Sequence, residues 1–184
     1  HILLFLKSFL KIFNDPKEIS TIRLSYNDTN LLLGCDLLVS NDDDVLLTLA
    51  KNKTKAIINS DEVMTGEFTR NINFSLPSEE LKNNFVRLLG EENINFIPTT
   101  TIANKILGDS ITANLFIVGL AYQSGLIPIT SNSIEKAIKL NGVTPELNIK
   151  SFRLGRHSFF MKDKLLKMIN KNEDIISTSQ EEII

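Results

Sequence analysis

Tryptophan is absent, cysteine occurs once and histidine twice, and each shortage closes off a kind of chemistry. A single thiol, Cys35, excludes a disulfide internal to the chain. It also excludes an iron–sulfur cluster held by this chain alone, since such clusters take about four thiolates. His1 and His157 form no ligand pattern with Cys35, so no metal ligand is assigned. Ser/His/Asp catalysis lacks support, because His157 falls in a charged stretch far in sequence from any strand-end serine, and no catalytic residue is assigned. Neither GxGxxG nor GxxxxGK[ST] occurs, so no glycine-rich cradle for phosphate is written into the sequence. A net charge of −2 gives no basic footprint for nucleic acid. The most apolar opening, HILLFLKSFLKIF, is broken by Lys7 and Lys11. It is shorter than the ~20 residues that a membrane span takes. It also lacks the basic start and small-residue cleavage site of a signal peptide. Neither nucleic acid nor membrane is expected as a partner.

What is present is an ordinary globular balance, 42% hydrophobic and 23% charged over 184 residues, enough for one domain and a tail. Leu10 to Phe13 reads as a short strand ended by the turn Asn14-Asp15-Pro16, with Thr21 to Leu24 continuing an edge. Asn30 to Gly34 is ambiguous, a last helical turn with Gly34 as its C-cap being one option. Cys35 to Ser40, CDLLVS, is a near-continuous apolar run of the kind that forms a strand buried on both faces. Asp42 to Ala50 predicts a short helix with its acids at the favourable end of the dipole. Thr54 to Asn59, TKAIIN, predicts a second buried strand, followed by a polar loop containing Gly66.

Pro77, Ser78, Glu79 and Glu80 open a helix whose apolar face is Leu81, Phe85, Leu88 and Leu89 and whose stop is Gly90. Asn95 to Pro98 predicts a third strand, closed by Thr99-Thr100-Thr101, with a short helix from Ile102 to Leu107. Asp109 or Ser110 caps SITANLFIVGLAYQSGL, which is apolar nearly all round and therefore predicts a buried helix. Ser131 or Ser133 caps an amphipathic helix ending at Gly142, and a last helical stretch runs to about Asn172. Alternation of strands and helices predicts an α/β fold: a Rossmann-like open, mostly parallel sheet with helices on both faces. The organisation expected is a domain over 1–156 and a C-terminal helical linker over 157–184. Both chain ends read as breaks in a longer polypeptide.

Ligands of open parallel sheets collect at the carboxyl ends of the strands. The candidate ends are Ser40-Asn41-Asp42, Asn59-Ser60-Asp61 and Thr99-Thr100-Thr101, with Thr65 and Gly66 in the polar loop after the second strand. The candidate binding residues are Asn59, Ser60, Thr65, Gly66, Thr99, Thr100 and Thr101. Hydroxyls and amides at such places also cap helices and build turns. Cys35, at the start of an apolar run, suits a small core residue better than a nucleophile. The acids Asp42, Asp43 and Asp44 are accounted for by a helix's first turn. Asn114 and Asn148 are amides that tie helices together or reach a ligand. Arg153 and Arg156 flank Gly155, which suits either a grip on an acidic surface or a solvated face.

Several stretches, in order, resemble the gamma region of indolepyruvate ferredoxin oxidoreductases, members of the 2-oxoacid:ferredoxin oxidoreductase family. They are LLLGCDLLVS followed by KAIINSDEVMTGEFTR, then TTTIANKILGDSITANLFIVGLAYQSGLIPI, then IEKAIKLNGVTPELNIKSFRLGR. The resemblance covers Lys11 to Arg156. It departs from the family at the start, where the glycine-rich first βα unit is missing. It implies that the parent enzyme oxidatively decarboxylates indolepyruvate or a related arylpyruvate. Thiamine diphosphate with Mg, 4Fe-4S clusters and coenzyme A as acyl acceptor would serve that reaction, and ferredoxin would take the electrons. This piece would bind none of those cofactors alone and would be structural or substrate-covering, inactive in isolation. Its partners would be the thiamine-binding domains of the same enzyme, in the cytoplasm. The alternatives are a stand-alone Rossmann-like small-molecule or nucleotide-binding module and a pure interface domain.

Overall fold

A computed structural model describes residues 4–6, 24–61 and 77–181, with side chains over 24–61 and 77–169. The expected strand Leu10–Phe13, the turn Asn14-Asp15-Pro16, and Thr65 with Gly66 lie outside the described residues. The chain divides into two compact units, His1–Ile97 and Pro98–Ile184. Residues 156 and 157 both lie within one long helix of the second unit.

The first unit holds strands β1 (Leu4–Leu6), β2 (Leu31–Gly34), β3 (Lys55–Asn59) and β4 (Ile94–Ile97). Its helices are α1 (Leu37–Ser40), α2 (Asp43–Leu46) and α3 (Ser78–Leu89). The sheet runs β1-β2-β3-β4, with β1 antiparallel to β2 and the next two pairings parallel. Leu32, Ala56 and Ile58 project to one face and pack with Leu37 of α1 and Phe85 and Leu89 of α3. Right-handed crossovers between strands laid down in one direction put their helices on the same face, as this core does. Leu31, Leu33 and Ile57 point the other way, and they too are buried. That two-sided burial is why these strands read as apolar runs and not as alternating ones.

Strand β2 lies four residues earlier than CDLLVS, the segment expected to form it. Asp36 decides the matter. Its carboxylate accepts a hydrogen bond from the Val39 backbone N–H at 3.0 Å and turns Leu37–Ser40 into a helix. A short Asp side chain competes in this way for backbone donors that a strand would need. Gly34 is therefore the last residue of a strand and not a helix cap. Helix α2 is shorter than expected, and Asp42 stands one position before it as its cap, accepting from Asp44 N–H at 3.0 Å. Helix α3 falls where its apolar spacing put it, and Gly90 ends it at φ +85°.

The second unit holds α4 (Thr99–Leu107), a 3-10 turn over Ser110–Thr112, α5 (Ala113–Gln123), α6 (Ser131–Asn141) and α7 (Pro145–Glu181). Asp109 caps the turn, accepting from Ile111 N–H at 2.9 Å. The cap of α6 is Thr130, not Ser131 or Ser133; its hydroxyl accepts from Ser133 N–H at 3.2 Å. Helix α7 extends past the expected end near Asn172 and departs from helical geometry at Met161 (φ −133°, ψ 28°).

Helices α5 and α7 cross through a pair of glycines. A Cβ on Gly119 would stand 2.0 Å from the Phe152 carbonyl oxygen, and one on Gly155 would stand 2.0 Å from the Phe116 carbonyl oxygen. Only glycine lets two helix backbones approach so closely. Phe116, Ile117, Leu120 and Phe152 fill the space on either side and are buried. Ser151 adds a buried hydrogen bond to the Thr112 carbonyl at 2.7 Å.

Candidate functional site

The carboxyl ends of β2 and β3 meet in the first unit. Asn59 closes β3 and is 1% exposed. Its side-chain amide donates to the Cys35 carbonyl at 3.3 Å, and its oxygen accepts from Asp61 N–H at 3.2 Å. The residue thus joins two strand-end turns and fixes the path of the chain through Asp61. The Ser60 backbone N–H donates to the Ile97 carbonyl at 3.0 Å and continues the ladder toward β4. Among the candidate residues, Asn59 and Ser60 are brought together, beside the Gly34-Cys35-Asp36 bend.

That bend replaces Ser40-Asn41-Asp42 as the polar end of the first parallel strand. Asn41 instead caps α1 at its C-terminus and donates to the Leu81 carbonyl at 2.8 Å, while it accepts from Asn84 at 3.0 Å. Asn41 is a tie between α1 and α3, and Asp42 is the cap of α2.

Cys35 is half-buried at the head of this bend. Burial, with the neighbouring Asp36 carboxylate adding to it, pushes its pKa up to about 11. The thiol stays protonated near neutral pH, and a protonated thiol is a weak nucleophile. Among the described residues no group of three His, Cys, Asp or Glu side chains is placed to hold a metal ion. Among them also, no helix is long and apolar enough to cross a membrane.

Thr99, Thr100 and Thr101 belong to the second unit. They do not form a bend after β4; they are the first turn of α4, which begins right after Pro98. Thr99 is fully buried and the other two are half-buried. Asn148, at 7% exposure, donates to the Val143 carbonyl at 2.8 Å and ties the Gly142–Thr144 loop to α7; Asn114 is half-buried in α5.

The two arginines beside Gly155 have separate fates. Arg153 makes a two-pronged contact with Glu135, 2.8 and 2.7 Å long. That hydrogen bond and the Arg153 charge hold the Glu135 carboxyl below its ordinary range. Arg156 faces an open cleft of about 460 Å³. Its guanidinium lies 5.1 Å from the Tyr122 ring centre and 5.9 Å from that of Phe152, and its Nε donates to the Gln123 side-chain oxygen at 3.2 Å. Sequence reasoning singled out both arginines but had no means of dividing them.

The cleft wall is set by the end of α5. Gly125 sits at φ +74°, Leu126 N–H donates to the Ala121 carbonyl and Gly125 N–H to the Tyr122 carbonyl, both at 3.0 Å. This pairing ends a helix and turns the chain away from its axis. It sends Ile127, Pro128 and Ile129 along the cleft. Comparison with known proteins finds no matching family model, no similar curated protein and no similar solved structure.

Proposed function

We propose that this chain is a structural or substrate-covering portion of an enzyme that oxidatively decarboxylates indolepyruvate or a related arylpyruvate. In that reading coenzyme A takes the acyl group and ferredoxin the electrons. Thiamine diphosphate, Mg and 4Fe-4S clusters on neighbouring domains supply the chemistry. The observation that carries it is the ordered set of stretches from LLLGCDLLVS to IEKAIKLNGVTPELNIKSFRLGR. The α/β architecture supports it: β2, β3 and β4 are parallel, and polar turns gather at the ends of β2 and β3. The burial of both sheet faces favours a Rossmann-like arrangement with cover on each side. Within the reading, Asn59 and Ser60 at the end of β3 are the candidate binding residues of the first unit. A half-buried reduced thiol suits a cytoplasmic location.

The test is to tag this chain in its own cells, purify the complete protein that carries it and assay arylpyruvate-dependent reduction of methyl viologen. Reduction that requires both coenzyme A and thiamine diphosphate is the expected result. A purified protein with no 2-oxoacid-dependent reduction overturns the reading. Saturable nucleotide binding in its place would favour a self-standing binding module.

A further inference from the structure

The geometry points to a binding site for a small carboxylate with an apolar body in the cleft between the end of α5 and α7, with Arg156 as its anchor. A guanidinium carries five N–H donors in a flat fork that matches a carboxylate. In Arg156 the Nε donor is taken by Gln123, and among the described residues no acceptor meets the two Nη groups. The fork is also held in place. Tyr122 and Phe152 lie against it, and their rings pack on each other at 5.8 Å and 58°. A cation held on aromatic faces has little freedom left to lose on binding.

The same helix supplies a contrast. Arg153 already has a carboxylate, Glu135, in a two-pronged grip. Arg156 presents the same chemistry toward open space. Thr130, on the cleft rim, does not compete, because its hydroxyl caps α6 and pairs with Ser133 at 2.9 Å. The charged anchor therefore comes from Arg156, and Ile127, Pro128 and Ile129 give an apolar stretch of wall beside the polar Gln123 and Thr130. Ile127 is buried, while Pro128 and Ile129 are exposed along the cleft. A ligand that meets both needs an oxyanion at one end and a hydrocarbon body at the other. An apolar ligand without charge would leave the fork unmatched, and a bare anion would leave the Ile127–Ile129 wall uncovered.

Tyrosine fluorescence of the full chain reads this directly. The protein has no tryptophan and two tyrosines, Tyr26 and Tyr122, so Y26F leaves Tyr122 as the single reporter. The probe is 3-phenylpropionate, with 3-phenylpropanol and phenyl phosphate as comparison arms. The carboxylate should change Tyr122 emission saturably, with a Kd on the order of 1 mM as suits an open cleft with one charged anchor. The alcohol, and R156K, which keeps charge and stem but loses the fork, should each be weaker by about tenfold. R156Q should abolish the response while circular dichroism shows its helices intact; if R156Q does not fold, R156K decides alone. No saturable response, equal binding of the alcohol, or undiminished binding by R156K overturns the site. Tighter binding of phenyl phosphate overturns the carboxylate assignment.

Discussion

In the first unit, bulk fills the space between sheet and helix. Leu32 and Ile58 of the sheet meet Phe85 and Leu89 of α3, and all four are fully buried. In the second unit, the tightest contact is made where bulk is missing. Gly119 and Gly155 let the backbones of α5 and α7 touch, and the large side chains stand to either side. The first kind of contact is set by volume, which several side chains can supply. The second is set by backbone approach, which no residue with a Cβ can reproduce. The two units should therefore fail differently when altered.

The largest effect is expected at the helix crossing. G119V places carbon where the Phe152 carbonyl oxygen stands, and it should cost more than about 3 kcal/mol in urea unfolding. Hydrogen exchange across α5 and the first half of α7 should accelerate. A midpoint close to that of the wild type would show that the helices slide apart without penalty. G119A and G155A break the same crossing, so their double variant should cost less than the two single costs together.

Next comes the first unit. F85A opens a cavity beside Leu89 and Ile58 and should cost about 3–5 kcal/mol. L89M, which keeps volume, should stay under about 1.5 kcal/mol. If L89M were as damaging as G119V, the distinction between volume and backbone approach would fail.

The smallest effects are pH-dependent and separate the units by sign. The Cys35 pKa is raised by burial to about 11 from an ordinary 9.0. The folded protein keeps a proton that the unfolded chain gives up. Its contribution is full below pH 9.0 and is lost as pH rises toward 11. Wild-type stability should thus fall more between pH 8 and about 10.5 than that of C35A, as urea midpoints would record. Glu135 behaves oppositely. Its carboxyl lies below 4.5 because Arg153 hydrogen-bonds the ionised form. That contribution is present above 4.5 and is lost as pH falls through the lowered value. An NMR titration should place the Glu135 midpoint low in the wild type and nearer the ordinary value in R153Q.

The sheet-to-helix unit around α3 was legible because its signals agree. Glu79 and Glu80 open it, Leu81, Phe85, Leu88 and Leu89 line one side, and Gly90 closes it. Strands β3 and β4 were legible for a related reason, as short apolar runs bounded by polar turns. Strand β2 was misplaced because LLLG and DLLVS are both apolar and periodicity cannot choose between them. The hydrogen bond from Val39 N–H to Asp36 made the choice. Thr99 to Thr101 read as a polar strand end because hydroxyl residues after a strand also build turns. Packing that buries Thr99 and Ile102 outweighed that preference.

Gly119 and Gly155 carried no local signal at all, since a glycine inside a helical pattern reads only as a weak point. Arg153 and Arg156 looked alike for the same reason: their neighbours in sequence are similar, and their neighbours in space are not. Local spacing along the chain fixed which segments bury an apolar face, because the side-chain period of a strand or helix belongs to the segment itself. Which backbones touch and which arginine is paired were settled only by folding, because those outcomes depend on distances between residues remote in sequence.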